Sequence, residues 1–178
     1  MTRLSHHSLG RLAEAPHRLF FFLGMINLIV ASTWWFAAML LRLLQPDLPV
    51  VPHGLSSHLH PLVMIYGFFP FFIFGFAFTA GPRWLQMPAP ALQQYLLPGA
   101  GMGLAFLLLF PAMFAGEEAV VLALTLYAGC AGLLWLRFSA LIAASRALDK
   151  VHARVVQLSL AICGITLLLA IVGIGTGH

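Results

Sequence analysis

The reading of the fold turns on one stretch: His58-Leu59-His60-Pro61-Leu62-Val63-Met64-Ile65-Tyr66-Gly67-Phe68-Phe69-Pro70-Phe71-Phe72-Ile73-Phe74-Gly75-Phe76-Ala77-Phe78-Thr79-Ala80-Gly81-Pro82-Arg83-Trp84. From Pro61 to Pro82 no side chain carries a formal charge, and Arg83 closes the run. That length matches the ~20 residues a helix needs to cross the hydrocarbon core of a bilayer. The run does not alternate polar and apolar positions, as a strand of a membrane barrel does. In lipid, backbone N–H and C=O groups must be bonded within their own segment, so a helix is predicted. Pro70 removes one of those bonds and predicts a kink. Phe68, Phe69, Phe71, Phe72, Phe74, Phe76 and Phe78 cover most of the circumference. They suit lipid contact and packing; the sharper alternative is an apolar wall around a cofactor or a path for a small gas.

The same pattern recurs on both sides. The spans fall at about residues 18–42, 61–82, 95–115, 119–142 and 155–175, giving an all-α, polytopic membrane helix bundle of about five transmembrane helices. Residues 1–178 form one membrane domain, with no internal repeat or low-complexity tract. Composition agrees. Apolar types make up 61% and charged residues 8%, where a soluble domain carries about 25% charge. An ordinary soluble enzyme, a disordered chain and a nucleic-acid binder are thereby excluded. The formal charge of +4 is too small and too dispersed for a nucleic-acid patch. Membrane lipid is the expected surrounding.

Orientation follows from the basic residues. Arg3, Arg11, Arg18, Arg83, Arg137, Arg146, Lys150 and Arg154 fall on one side, and only Arg42 on the other, with Asp47, Glu117 and Glu118. The positive-inside rule then predicts a cytoplasmic N-terminus and a periplasmic C-terminus. Small residues predict helix contacts: Gly99 with Gly103, and Ala128 with Gly132, are each four apart. Cys130 and Cys163 fall inside helices and suggest no disulfide framework.

The eight histidines carry the chemistry. His53, His58 and His60 cluster in the connection before the second span and are the candidate metal ligands. Pro61 suits the first turn of a helix and pushes His60 towards an extended backbone. In an extended segment His58 and His60 point the same way; on a regular helix they diverge by about 200°. Met64, one turn after His60, faces the same site if the helix begins at Pro61. Imidazole and thioether together suit copper or haem iron. A second, weaker set is His17 and His152, which precede the first and fifth spans. If those helices are neighbours, the two rings face one another across a cofactor. The plain alternative for both sets is interfacial histidines bonded to water and headgroups.

With His58-Leu-His60, Tyr66-Gly67-Phe68, Gly75-Phe76 and Thr79-Ala80-Gly81-Pro82-Arg83-Trp84, the chain resembles the NnrS family of bacterial membrane proteins. The opening His17-Arg18-Leu19-Phe20-Phe21 is similar to that family's Arg-Pro-Phe-Phe start, and Pro61 stands where the family has Glu. The resemblance implies a protein linked to nitric oxide metabolism that binds haem and copper. It also implies roughly twice this length, so the expected completion of the site is a homo-oligomer or a missing C-terminal half. Nitric oxide is the expected small ligand, with binding or sensing favoured over turnover. The competing reading is a transporter-like, assembly or interaction subunit without a redox cofactor. No acid or lysine within a span marks an ion path.

Overall fold

The computed structural model describes residues 12, 14–45 and 55–176, and residues 55–58 by backbone only. Among the described residues the chain is helical, and five crossings are long and apolar enough to span a membrane. Helix α1 is Pro16–Leu44, opened by a proline whose missing N–H costs nothing at a helix start. Helices α2 (Leu55–Tyr66) and α3 (Phe69–Trp84) share the second crossing. A 3₁₀ turn at Leu92–Gln94 leads into α4 (Leu96–Ala115). Helices α5 (Glu117–Ala144) and α6 (Val151–Gly175) complete the bundle.

The second crossing departs from expectation at its start. The helix begins at Leu55, so Pro61 lies inside it and not at its first turn. The segment through His58 and His60 is therefore helical, not extended. The local restriction that proline places on its predecessor is weaker than the demand for bonded backbone at the membrane. A helix containing Pro61 forfeits one bond, whereas an extended run would leave several groups unpaired.

The kink falls at Gly67–Phe68, just ahead of Pro70. In a continuous helix the N–H of residue 70 would bond the carbonyl of Tyr66. Proline has no N–H, and the Tyr127 hydroxyl of α5 donates to that carbonyl instead, at 2.6 Å. The Tyr66 hydroxyl in turn donates to the Cys163 carbonyl at 3.0 Å and lies 2.7 Å from Thr166 Oγ1 on α6. A Cβ on Gly67 would collide with the Phe106 ring of α4, so only glycine fits there. Of the phenylalanines, Phe71, Phe74 and Phe78 are buried while Phe69 and Phe76 are exposed.

Helix α1 packs on α3 and α4, α4 on α5, and α5 on α6. The α1 face meets the second crossing in antiparallel register: Phe21 stacks on Phe72 of α3 at 4.6 Å, and Trp35 stacks on His60 of α2 at 3.6 Å. Gly99 and Gly103 receive Phe20 and Leu23 of α1, whose atoms would stand 3.0 and 3.1 Å from an added Cβ. This glycine pair makes the predicted close contact. At Gly132 an added Cβ meets nothing within 4 Å, so the second pair does not.

The helix ends carry their own fastenings. At the basic end, Lys150 Nζ donates to the carbonyls of Ile142 and Ser145, at 3.0 and 2.6 Å. This places a cation on the orphan carbonyls at the C-terminus of α5. Ser145 Oγ reaches back to the Leu85 carbonyl at 2.7 Å and ties the α5–α6 turn to the end of α3. At the opposite end Gly116, with φ of 122°, turns the chain between α4 and α5, and Glu117 and Glu118 occupy the first turn of α5. The two cysteines are free thiols.

Candidate functional site

His60 sits in α2, at the end of the bundle opposite the arginine-rich turns. Its ring lies on the indole of Trp35 with centroids 3.6 Å apart and planes 18° from parallel. Its Nδ1 is buried and has no hydrogen-bond partner among the described residues. A buried imidazole nitrogen without a partner is an unmet demand. Met64, half-buried, lies one turn further along the helix, on the same side as His60. The indole holds the imidazole plane, and the thioether adds a soft donor nearby.

The other expected ligands fall differently. Positions 58 and 60 share one helix and stand about 200° apart around its axis, so the two do not converge as an extended segment would make them. His53 and the terminal His178 lie outside the described residues. His17 and His152 do not form a facing pair. Helices α1 and α6 share no substantial contact, and α3 packs against both. His17 is bound at the start of α1, where Thr79 Oγ1 of α3 accepts from its backbone N–H at 3.1 Å. Its ring Nδ1 lies 3.3 Å from the same oxygen. The Thr79 hydroxyl thus acts as a cap supplied by another helix. His152 is exposed, with its ring 6.1 Å from Trp84. Both are accounted for as residues of the helix ends.

No cluster of three histidine, cysteine or acidic side chains is positioned to hold a metal among the described residues. Among the described residues the soft donors at this end of the bundle are His60 and Met64. A single imidazole with a fixed ring plane has the donor chemistry that a haem iron would accept.

Two features of the region escaped the sequence reading. Trp35 is one: its partnership with His60 depends on the register between α1 and the second crossing. Asn27, within the first span, is the other. It is 1% exposed, and neither its amide oxygen nor its nitrogen has a partner among the described residues. The register that joins Phe21 to Phe72 and Trp35 to His60 sets Asn27 level with the Gly67–Phe68 break. The signal for it was its chemistry: a buried amide within a span is costly unless it has a role.

These features define a class: a multi-pass helical membrane protein with one oriented imidazole at the end of a broken helix. Within that class, the family model described as NnrS protein matches residues 11–178, nearly the whole chain. The chain belongs to the NnrS family. No curated protein and no solved structure matches it.

Proposed function

We propose that this protein is a haem-binding membrane protein of the NnrS type that takes part in the response to nitric oxide. The observation that carries the reading is His60, whose ring is fixed on Trp35 while its Nδ1 lies buried and unpaired. In this reading the His60 imidazole would hold the haem iron, and Trp35 would set the plane of that ring. Met64 lines the approach. The haem supplies the chemistry of reversible gas binding. Trp35 of α1 and the apolar side chains of α2, Leu59, Leu62 and Val63 among them, would keep water away and admit an uncharged gas. Nitric oxide would be the small ligand, and a second copy of the chain would be the source of any further protein donor. The basic turns support a cytoplasmic location for the N-terminal end.

The test is the visible spectrum of the purified protein, with metal analysis. Haem should appear as a Soret band that shifts under nitric oxide. His60→Ala should remove the band and Trp35→Ala should weaken it, while His17→Ala and His152→Ala leave it intact. A full band in His60→Ala would overturn the assignment. Copper without haem would overturn the choice of metal.

A second reading, transport of a small polar solute, rests on Asn27 beside the helix break. Discontinuous membrane helices with polar groups near mid-depth are a recurrent transporter feature. It separates from the first by the spectrum, which a transporter without cofactor would lack.

A further inference from the structure

The bundle is not filled between α3, α5 and α6. A half-enclosed cavity of about 350 Å³ lies there, with Phe74, Tyr127, Gly132, Trp135, Gly164 and Leu167 among its lining residues. That volume is in the range of ordinary ligand sites, which run from roughly 300 to 1,000 Å³. From Tyr127 to Trp135 the wall follows two turns of α5, about 12 Å at 1.5 Å per residue. No histidine lines it, so it is separate from His60.

The chemistry of the wall selects the occupant. The polar groups at its edge are already engaged. Tyr127 donates to the Tyr66 carbonyl at 2.6 Å, Tyr66 to the Cys163 carbonyl at 3.0 Å, and Trp135 Nε1 to the Gln157 carbonyl at 3.0 Å. What these residues offer the cavity is ring surface. A water needs two to four polar partners to be held, and this wall does not offer them. The outer lip is built from Ile165 and Leu168 of α6, 58% and 55% exposed, on a helix apolar enough to span a membrane. Access is thus sideways from the bilayer, and anything that enters is already dissolved in lipid. Gly132 and Gly164 keep the space open, since an added Cβ at either meets nothing within 4 Å.

We infer that this cavity is a lipid site, holding one hydrocarbon chain of a membrane phospholipid between α3, α5 and α6. The chain lies along α5 against Trp135 and Tyr127 and fills the volume that the two glycines leave open. It closes the otherwise incomplete side of the bundle. The occupancy does not depend on the haem reading, because no residue of that site touches the cavity.

Native mass spectrometry of the full chain, extracted in mild detergent, tests this directly. The wild type should retain one phospholipid after washing that strips loosely held lipid. Gly132→Leu and Gly164→Leu each put a side chain into the volume and should lower retention about tenfold, equivalent to roughly 1.4 kcal/mol of binding. Gly129→Leu is the control: Gly129 also faces open space but does not line the cavity, so retention should stay at the wild-type level. A wild type that retains no lipid would overturn the site, as would equal retention in all variants. Retention of an isoprenoid quinone in place of phospholipid would overturn the choice of occupant. If a filled variant does not fold, a second readout uses protein with Trp34, Trp35 and Trp84 changed to Phe. Phospholipid brominated along its acyl chains should then quench Trp135 strongly, and free access of a water-soluble quencher to Trp135 would refute the proposal.

Discussion

The two halves of this bundle use the same small-residue spacing to opposite ends. Gly99 and Gly103 on α4 are filled by Phe20 and Leu23 of α1, so backbone and ring meet at van der Waals distance. Ala128 and Gly132 on α5 have the same spacing but border a cavity. Burial follows the difference. Half of the apolar window of the second crossing and of the third is buried within the protein, against 11% for α6. The lesson is that small residues permit close approach without dictating it. A partner must bring a large side chain to the groove, and α1 does so with Phe20 and Leu23. In lipid there is little hydrophobic drive between helices to close a groove that no side chain fills.

Substitutions in the two halves should therefore differ sharply. Gly67→Val should have the largest effect. It drives a branched side chain into the Phe106 ring at the helix break and should destabilise by roughly 3 kcal/mol. Unfolding in detergent measures it, and a near-wild-type midpoint would mean the packed half is softer than described. Tyr127→Phe comes next. It leaves the Tyr66 carbonyl without its donor and should cost about 1–3 kcal/mol by the same measurement. No change would mean that the break is not held from α5. Asn27→Leu should be neutral or stabilising by up to about 1 kcal/mol, since it removes a buried amide with no protein partner. A clear loss of stability would instead show that Asn27 binds something, and would favour the transport reading. Gly132→Ala should be the mildest, within about 0.5 kcal/mol of wild type. If it matches Gly67→Val in cost, the contrast between the halves fails.

Much of the architecture was legible because membrane spans are marked by length and by charged ends. The run closed by Arg83, and the one that ends at Ala115 just before Gly116 and Glu117, became helices that end close to where the residues placed them. Pro70 correctly marked a kink. The break itself settled at Gly67–Phe68, where glycine admits the Phe106 ring. Pro61 misled, because a rule about one dihedral was weighed without the backbone bonds that lipid demands. The site was less legible than the fold. The His17–His152 pairing required knowing which helices touch, and spacing along a chain does not carry that. The Trp35–His60 stack required a register between helices that side-chain shape sets. Only the alignment of His60 with Met64 could be read locally, from one turn of helix.

The hydroxyl of Tyr127 has a consequence for how the chain is made. The second crossing leaves the ribosome well before α5, and its Tyr66 carbonyl has no donor until Tyr127 arrives. In the bilayer that carbonyl is a debt held open through the synthesis of some sixty residues, the 61 positions that separate the two partners. The crossing therefore inserts early but acquires its final bend late, when the fourth crossing docks. Biogenesis of this protein has a natural checkpoint there. A nascent chain ending at Ala115 should show a Gly67 region open to chemical labelling, and one ending past Ala144 should show it protected.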